Sequence, residues 1–318
     1  MQKSGVIINP AAGRGSGKGD ALATALRGNS KVEVKILQKF QDLQPALDEL
    51  AAAEVTDLFI SSGDGTIQAI VTQIAERRKF KQQPRLCVLS HGTTNLTGID
   101  LGFARRNILA QAAFIANPSP QQTKLRHTIK VINPRGEGPR HGFTFGAGAA
   151  ALATRHTQTE LNDKGRKGQR AALRMMMGTL AQSLLKKPDP KDSKRIDKPY
   201  PMNVAINGNH FCTGDQLMFI ATTLEKQFFN TRPFWGGKNG PIRATALAYP
   251  PPNLVRWLLP IMYGSETRKV PDGALSKSGH SFTISCEESF VMDGEFFEGP
   301  TTGPLQVEAG PEFEFITA

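Results

Sequence analysis

The feature that most constrains the fold of this chain is the stretch of residues 57–66, which reads D-L-F-I-S-S-G-D-G-T. Its apolar residues 58–60 are typical of a short strand that is buried on both faces. The strand ends at a turn that carries Asp64 between two glycines, and an amphipathic helical pattern follows. A strand, a glycine turn and a helix in this order predict one repeat of an α/β sheet. Ligands bind such sheets at the carboxyl ends of strands, so we expect chemistry at Asp64.

Two interpretations of this turn stay open. In the first, Gly63 and Gly65 let backbone N–H groups approach a phosphate closely, because no Cβ lies in the way. Thr66 then opens a helix whose N-terminus favours an anion. In the second, the turn is only a tight connection in which Asp64 caps the helix.

A second apolar strand, at residues 5–8, also runs into a glycine-rich loop. Asn9-Pro10 ends the strand, and glycines follow at every second position from Gly13 to Gly19. The loop fits neither the P-loop pattern nor the dinucleotide-binding pattern. The strand before it nevertheless favours phosphate binding over a flexible segment with a solvated Lys18.

A third glycine loop, S-H-G-T-T-N at residues 90–95, follows the apolar strand at residues 86–89. With a further strand at residues 32–37 and a helix at residues 43–53, the alternation predicts a doubly wound, mainly parallel α/β sheet. Right-handed crossovers place the three glycine loops along one edge of the sheet, which predicts a nucleotide site there. We expect His91 to shape the third loop rather than to act as a base.

After residue 120 the pattern changes to short β-like runs separated by turns. Asn207-Gly208 lies between two of these runs and is a strong hairpin signal. The spacing predicts an antiparallel β-sandwich as a second, C-terminal domain. The runs cover residues 128–132, 142–145, 202–206, 216–222, 243–248, 281–285 and 305–307.

Two helical segments interrupt these runs. Residues 166–187 form a basic amphipathic pattern, whose apolar side either belongs to the core or faces an anionic membrane surface as a flap. Residues 254–263 are apolar and are expected to pack inside the domain. An aromatic loop at residues 228–235 would line an apolar substrate cleft or fill a domain interface.

Composition limits the class of partner. The chain has 318 residues and a formal net charge of +11, which attracts nucleic acid, anionic lipid head groups or phosphorylated substrates. No zinc-binding spacing and no aromatic RNA-binding motif accompany the charge, so nucleic acid is not an expected partner. No apolar run approaches the roughly 20 residues that span a bilayer. The absence of a signal-peptide pattern and three widely spaced cysteines predict a cytoplasmic protein.

Near the end of the chain, Asp293-Gly294-Glu295 places two carboxylates around a glycine turn that follows an apolar run. Adjacent carboxylates can hold Mg²⁺ or supply a general base. Taken alone, the motif is more typical of a hairpin, because Asp-Gly is a preferred hairpin dipeptide.

Four motifs together resemble the diacylglycerol kinase catalytic-domain family, which includes bacterial lipid kinases and sphingosine kinases and is related to the NAD kinases. Asn9-Pro10 with its glycine loop, residues 62–66, residues 92–95 and residues 293–295 stand in the family's order and approximate spacing. The resemblance covers nearly the whole chain.

The resemblance implies an NAD kinase-like α/β nucleotide-binding domain at residues 1–124 and a β-sandwich lipid-substrate domain at residues 125–301. It also implies that a tail at residues 302–318 returns to the first domain. ATP would lie in the cleft between the two domains, together with Mg²⁺.

The resemblance further implies roles for single residues. Asp293 and Glu295 would activate the lipid hydroxyl and organise Mg²⁺, with Asp293 favoured as the base and Asp64 as the second choice. The nucleotide and phosphate contacts would be Asn9, Gly13, Gly63, Gly65, Thr66, Gly92, Thr93 and Asn95.

The chain also departs from the family pattern. Ser90-His91 stands where the family often has Pro before the Gly-Thr loop, and Leu96 stands where it often has Asp. Residues 238–240 align with a structural Mg²⁺ site of some members and lack its aspartates.

The implied function is an ATP-dependent lipid kinase of phospholipid biosynthesis, with a diacylglycerol-like acceptor. Such a protein would be peripheral to the inner face of the membrane, and a homodimer is common in the family. Two alternatives stay open. An NAD kinase shares the Gly-Asp-Gly-Thr turn, although the Asn-Glu motif of its second domain is not evident here. A catalytically silent nucleotide- or membrane-binding module is the other, and intact Asp64, Asp293 and Glu295 argue against it.

Overall fold

A computed structural model describes the chain except for residues 1, 15, 93–94, 105–106, 119–121, 156–197, 228–229, 252, 287–288 and 318. The chain divides into two compact units. Unit 1 comprises Met1–Thr128 with Gly310–Ala318, and unit 2 comprises Ile129–Ala309. The predicted helix at residues 166–187 lies outside the described residues.

Unit 1 is built on a parallel sheet. Its strands are β1 Ser4–Ile8, β2 Val32–Ile36, β3 Asp57–Ser61 and β4 Arg85–Val88. They lie in the order β2-β1-β3-β4, and every neighbouring pair is parallel. The last strand of the chain, Leu305–Ile316, adds its final residues beside β4, where Phe315 pairs with Leu86 in parallel.

Five described helices connect these strands. They are α1 Lys18–Leu26, α2 Leu43–Ala52, α3 Asp64–Arg77, α4 Leu96–Leu101 and α5 Ile108–Ala116. Short 3₁₀ turns at Ala12–Arg14 and Phe40–Asp42 precede α1 and α2. The first three helices match their predicted positions, whereas α4 and α5 were not predicted.

The sheet of unit 1 is covered on both faces, which explains why its strands are continuously apolar. On one face, Val6 and Phe59 of the strands share a buried cluster with Leu22 of α1 and Phe114 of α5. On the other face, the side chains of Leu50 and Val55 pack directly against Gly5, where a Cβ would lie 2.9 Å from each of them. Each such fully buried side chain contributes about 1.5–3 kcal/mol of hydrophobic stabilisation.

Unit 2 is rich in antiparallel strands. Its strands are β6 Arg140–Gly142, β7 Thr144–Gly148, β8 Tyr200–Ile206, β9 Asn209–Thr222, β10 Ile242–Ala248, β11 Ala274–Gly279, β12 Ser281–Cys286, β13 Phe290–Met292 and β14 Glu295–Phe297, with the end of β5 Thr123–Val131 and the start of β15 Leu305–Ile316. The central strands follow the order β14-β13-β7-β9-β8-β12-β15, and β10 pairs with β9 and β11. The α/β N-terminal fold and the antiparallel C-terminal fold are both confirmed.

The hairpin predicted at Asn207-Gly208 is confirmed. Both residues have positive φ, 50° and 75°, and they join β8 to β9 where Ile206 pairs with Asn209. This is the two-residue turn that Asn-Gly favours, because both central residues must adopt left-handed backbone.

Two local predictions for unit 2 need correction. Residues 142–145 do not form one strand, because Phe143 separates β6 from β7. The helix α6, Leu254–Met262, does not pack inside: Ile261 is buried, but Leu259 is 65% exposed and Trp257 is only half-buried. The structure describes only part of the aromatic loop at residues 228–235, because residues 228–229 lie outside the described residues.

Among the described helices, none combines the length and the apolar character that crossing a membrane requires.

Candidate nucleotide site and carboxylate hairpin

The three glycine loops of unit 1 meet at the carboxyl end of its sheet, as predicted. Gly92 packs directly on Gly63, and a Cβ placed on Gly92 would collide with the backbone of Gly63. Gly13, at φ 62°, packs in the same way against the carbonyl oxygen of His91. The loops after β1, β3 and β4 therefore form one continuous backbone surface, which only glycine permits at these two contacts.

Asn9 and Thr66 connect the first and second loops. The Asn9 side-chain Nδ2 donates a hydrogen bond of 3.1 Å to Oγ1 of Thr66, in the first turn of α3. Its Oδ1 accepts from the backbone N–H of Ala11 at 3.1 Å. Gly65, also in the first turn of α3, is half-buried. Asn9 thus ties the glycine-rich loop to the N-terminus of α3, where an anion is favoured.

Asp64 connects the second loop to the third. Its carboxylate accepts the backbone N–H of Leu96 at 2.9 Å and that of Thr97 at 3.0 Å, so it caps the N-terminus of α4. The side chain is nearly fully buried. Burial raises the pKa of Asp64 above its usual value, although the N–H groups of Leu96 and Thr97 act in the opposite direction. The predicted capping role is therefore real, but the helix that Asp64 caps is α4 and not its own.

His91, in the third loop, is hydrogen-bonded to the end of β3, where the second loop begins. Its Nδ1 lies 2.8 Å from Oγ of Ser61, the last residue of β3, in a buried hydrogen bond. Burial lowers the pKa of His91 to about 4, and the positive charge of Lys18 acts in the same direction. A neutral, buried imidazole that bridges two loops fits the expectation that His91 shapes the turn.

Asn95 organises the third loop. It adopts a left-handed backbone, with φ 50°, and its Nδ2 donates to the carbonyl oxygens of Ser90 and Gly92 at 3.2 and 2.7 Å. Within the part of the chain that the structure describes, Asn95 Oδ1 and Ser62 Oγ are buried without hydrogen-bond partners. These two atoms offer an acceptor and a donor to a ligand at this edge. Thr93, predicted to contact nucleotide, lies outside the described residues.

In unit 2, Asp293 and Gly294 form the two-residue turn between β13 and β14. Both have positive φ, 49° and 90°, and Met292 pairs with Glu295 across the turn. The hairpin interpretation of this motif is correct, and it does not exclude a chemical role for the carboxylates. β13 also pairs with β7, which brings the turn beside Thr144.

The Asp293 carboxylate is held by the start of β7. Its Oδ2 accepts the backbone N–H of Phe143 at 2.9 Å, and its Oδ1 accepts the N–H and the hydroxyl of Thr144, both at 2.8 Å. The side chain is nearly fully buried. Backbone N–H groups and a hydroxyl proton aimed at one carboxylate complement its negative charge, so the hairpin carries a preorganised anionic group.

Glu295 differs from Asp293 because it is exposed at the start of β14. Mg²⁺ prefers oxygen ligands and is commonly held by one or two carboxylates together with substrate phosphates and water. Across the described residues, no group of three or more His, Cys, Asp or Glu side chains could hold a metal by itself. Asp293 and Glu295 supply oxygen donors of the kind that Mg²⁺ prefers, and Glu295 is the more accessible of the two carboxylates.

The structure shows contacts in the candidate site that sequence reasoning missed. Thr144, Phe143 and Ser61 carry no recognisable motif, yet they hold Asp293 and His91 in place. The only signal in the sequence was position, because Ser61 directly precedes the glycine turn. Nothing near Phe143-Thr144 indicates a partner 150 residues away.

Comparison with known proteins adds the family. Residues 3–128 match the model of the diacylglycerol kinase catalytic domain. The resemblance to this family is confirmed over these residues, and the match supports a kinase-type phosphotransferase. The matched region contains all three glycine loops and Asp64, and it does not include Asp293 or Glu295.

Solved structures share the fold over the whole chain. Two structures from Bacillus anthracis str. Sterne, provisionally described as a diacylglycerol kinase, align with TM-scores of 0.66 at 17% and 16% identity. A third, described as a diacylglycerol kinase from the same organism, aligns with a TM-score of 0.63 at 14% identity. Each alignment covers 100% of this chain and 97% of the other. The search of curated proteins found no match.

Proposed function

We propose that this protein is an ATP-dependent lipid kinase, which transfers the γ-phosphate of ATP to the hydroxyl of a diacylglycerol-like acceptor. The observation that carries the proposal is the match of residues 3–128 to a diacylglycerol kinase catalytic domain, in a chain that keeps the three glycine loops joined. The fold shared with the Bacillus anthracis structures is consistent with it.

Unit 1 would bind the nucleotide. Backbone N–H groups at the glycine loops and at the N-terminus of α3 suit phosphate oxygens. Ser62 Oγ and Asn95 Oδ1, which are buried without partners among the described residues, would complete their hydrogen bonds on the nucleotide. In this proposal Asp64 is a positioning residue, because its carboxylate caps α4 and thereby joins the second glycine loop to the third.

Unit 2 would supply the base. As the lipid hydroxyl oxygen forms its bond to the γ-phosphorus, the hydroxyl proton passes to the Asp293 carboxylate, and the bond to the ADP oxygen breaks. Phosphoryl transfer depends mainly on positioning and on charge neutralisation, so one aimed carboxylate suffices for proton removal. Mg²⁺ bound with ATP would neutralise phosphate charge, with Glu295 and Asp293 as the carboxylates available to it.

The lipid acceptor implies contact with a membrane, and α6 is the surface that we propose for it. Leu259 is 65% exposed and Tyr263, directly after the helix, is 40% exposed. The Arg256 guanidinium lies 5.2 Å from the centre of the Trp257 ring, and Arg268 follows on an exposed segment. Apolar, aromatic and cationic side chains together suit the interface of an anionic bilayer.

Vesicle sedimentation tests the membrane part. We expect binding to phosphatidylcholine vesicles only when they contain phosphatidylglycerol, and we expect Leu259→Ser to weaken it about tenfold, because a buried leucine contributes about 1.5–3 kcal/mol. Leu109→Ser is the matched control, since Leu109 is 72% exposed on α5 of unit 1. Equal binding by both variants would contradict this assignment.

The direct test of the enzyme is transfer of labelled γ-phosphate from ATP, with Mg²⁺, to diacylglycerol in detergent micelles. A labelled product in the organic phase would support a lipid kinase, and its mass would identify the acceptor. Label on added NAD instead would indicate a dinucleotide kinase. Nucleotide binding without product from either acceptor would favour a silent binding module.

A further inference from the structure

Thr144 makes a reciprocal set of hydrogen bonds with Asp293. Its hydroxyl and its backbone N–H both donate to Oδ1 of Asp293 at 2.8 Å. In return, the N–H of Asp293 lies 3.2 Å from the carbonyl oxygen of Thr144 and 3.2 Å from its hydroxyl oxygen. The two residues are therefore joined through the side chain as well as through the backbone.

This arrangement fixes the direction of the hydroxyl proton. A hydroxyl group both donates and accepts, and the Asp293 N–H occupies an accepting direction of the Thr144 oxygen. The proton is then directed to Oδ1 of the Asp293 carboxylate. The hydroxyl thereby fixes the rotation of the carboxyl group about the side-chain bond.

We propose that Thr144 is a positioning residue for catalysis, which acts by holding the Asp293 carboxylate in a fixed orientation. The inference rests on the proposed function, in which Asp293 is the base. Gly142 supports the same arrangement, since a Cβ at that position would lie 2.6 Å from Oδ2 of Asp293 and would push the carboxyl group out of place.

Replacing Thr144 separates the hydroxyl from the rest of the contact. Thr144→Val keeps the shape and the backbone bonds but removes the hydroxyl, whereas Thr144→Ser keeps the hydroxyl. Hydrogen bonds to charged groups contribute about 1.5–3 kcal/mol, so we expect kcat of Thr144→Val to fall about 10- to 100-fold. KM for ATP should stay unchanged, and Thr144→Ser should recover kcat to within about threefold.

Thr222 provides a matched control on the neighbouring strand. It lies opposite Thr144 in the pairing of β7 with β9, and its buried hydroxyl donates to the carbonyl oxygen of Phe143 at 2.9 Å. Thr222→Val therefore removes a buried hydroxyl from the same place without removing a donor to Asp293. We expect it to lower thermal stability while leaving kcat within about threefold of wild type.

The outcomes distinguish this inference from the proposed function. An active wild-type enzyme with an unchanged kcat in Thr144→Val would overturn the inference alone. So would a Thr222→Val variant with the same loss of kcat. Absence of lipid product from wild type would overturn the proposed function and the inference with it. If Thr144→Val does not fold, Thr144→Ala removes the same hydroxyl without adding a methyl group. We then expect the same fall in kcat from Thr144→Ala, with KM for ATP unchanged.

Discussion

Asp64 in unit 1 and Asp293 in unit 2 are both nearly buried carboxylates in Gly-Asp or Asp-Gly turns, and backbone N–H groups hold both. They differ in where the donors lie. The donors to Asp64 belong to Leu96 and Thr97, at the start of a separate short helix. The donors to Asp293 belong to Phe143 and Thr144, at the start of the strand paired with its own hairpin.

The difference indicates two kinds of role. Asp64 joins the second glycine loop to the third through these two hydrogen bonds, and we propose that its carboxylate serves the geometry of the nucleotide site. Asp293 lies on a two-residue turn of a sheet and receives a side-chain hydroxyl in addition to N–H groups. A rigid turn with an oriented carboxylate suits a group that must meet a substrate proton. We therefore propose Asp293 as the base and Asp64 as a positioning residue.

Asp293→Asn should have the largest effect on activity, and it tests whether Asp293 is the general base. Loss of a general base lowers the rate about 10²- to 10⁴-fold, and we expect that loss in kcat with KM for ATP unchanged. The measurement is labelled phosphate transfer to diacylglycerol, with circular dichroism to confirm folding. Glu298→Gln is the control, because Glu298 is an exposed carboxylate of the same region that pairs with Arg135 at 2.9 Å. Full activity of Asp293→Asn would contradict the assignment of Asp293 as the general base.

Gly92→Ala should have the next largest effect and tests the loop surface of unit 1. The new Cβ would collide with Gly63, so the two loops must separate, at a cost of about 1–3 kcal/mol. We expect KM for ATP to rise about tenfold or more and the free energy of unfolding to fall. Urea titration and steady-state kinetics measure these changes. Gly138→Ala has open space around its new Cβ and should match wild type. An unchanged KM in Gly92→Ala would show that the contact does not shape the site.

Asp64→Ala should have a smaller effect, of a different kind from that of Asp293→Asn. Removing a helix cap costs about 0.5–2 kcal/mol, and the N–H groups of Leu96 and Thr97 would lose their acceptor. We expect KM for ATP to rise several-fold, while kcat at saturating ATP stays within about tenfold of wild type. A loss of kcat as large as that of Asp293→Asn, with KM unchanged, would reverse the two assignments.

Acidification should have the smallest effect and acts on unit 1 through His91. The unfolded chain takes up a proton at this side chain near pH 6.5, whereas burial holds its folded pKa at about 4. The contribution of His91 to the free energy of unfolding is therefore complete above pH 6.5 and is lost as the pH falls toward 4. The loss between pH 7 and pH 5.5 is about 1 kcal/mol.

Urea unfolding of His91→Gln at both pH values checks this prediction. The variant should lose less stability on acidification than wild type does. His210→Gln is the control, because His210 is exposed on β9 of unit 2. Parallel pH dependence in wild type and His91→Gln would contradict the buried, neutral state of His91.

Several features of the fold and the site could be read from particular residues. The apolar run at residues 58–60 and the glycine turn after it correctly predict β3 and the start of α3. Alternation of strands and helices correctly predicts the parallel sheet, and with it the meeting of the three glycine loops. The apolar character of α6 was misleading, because the sequence does not show which side of a short apolar helix the rest of the unit leaves exposed.

The sequence by itself determined the local elements of this protein, because strand runs, glycine turns and Asn-Gly or Asp-Gly hairpins depend on neighbouring residues. Only the tertiary structure decided which donors reach each carboxylate. Asp64 meets Leu96 and Thr97 across more than 30 residues, and Asp293 meets Phe143 across 150 residues. These contacts depend on how β13 pairs with β7 and on where α4 begins, and such long-range register leaves no pattern in the residues that it joins.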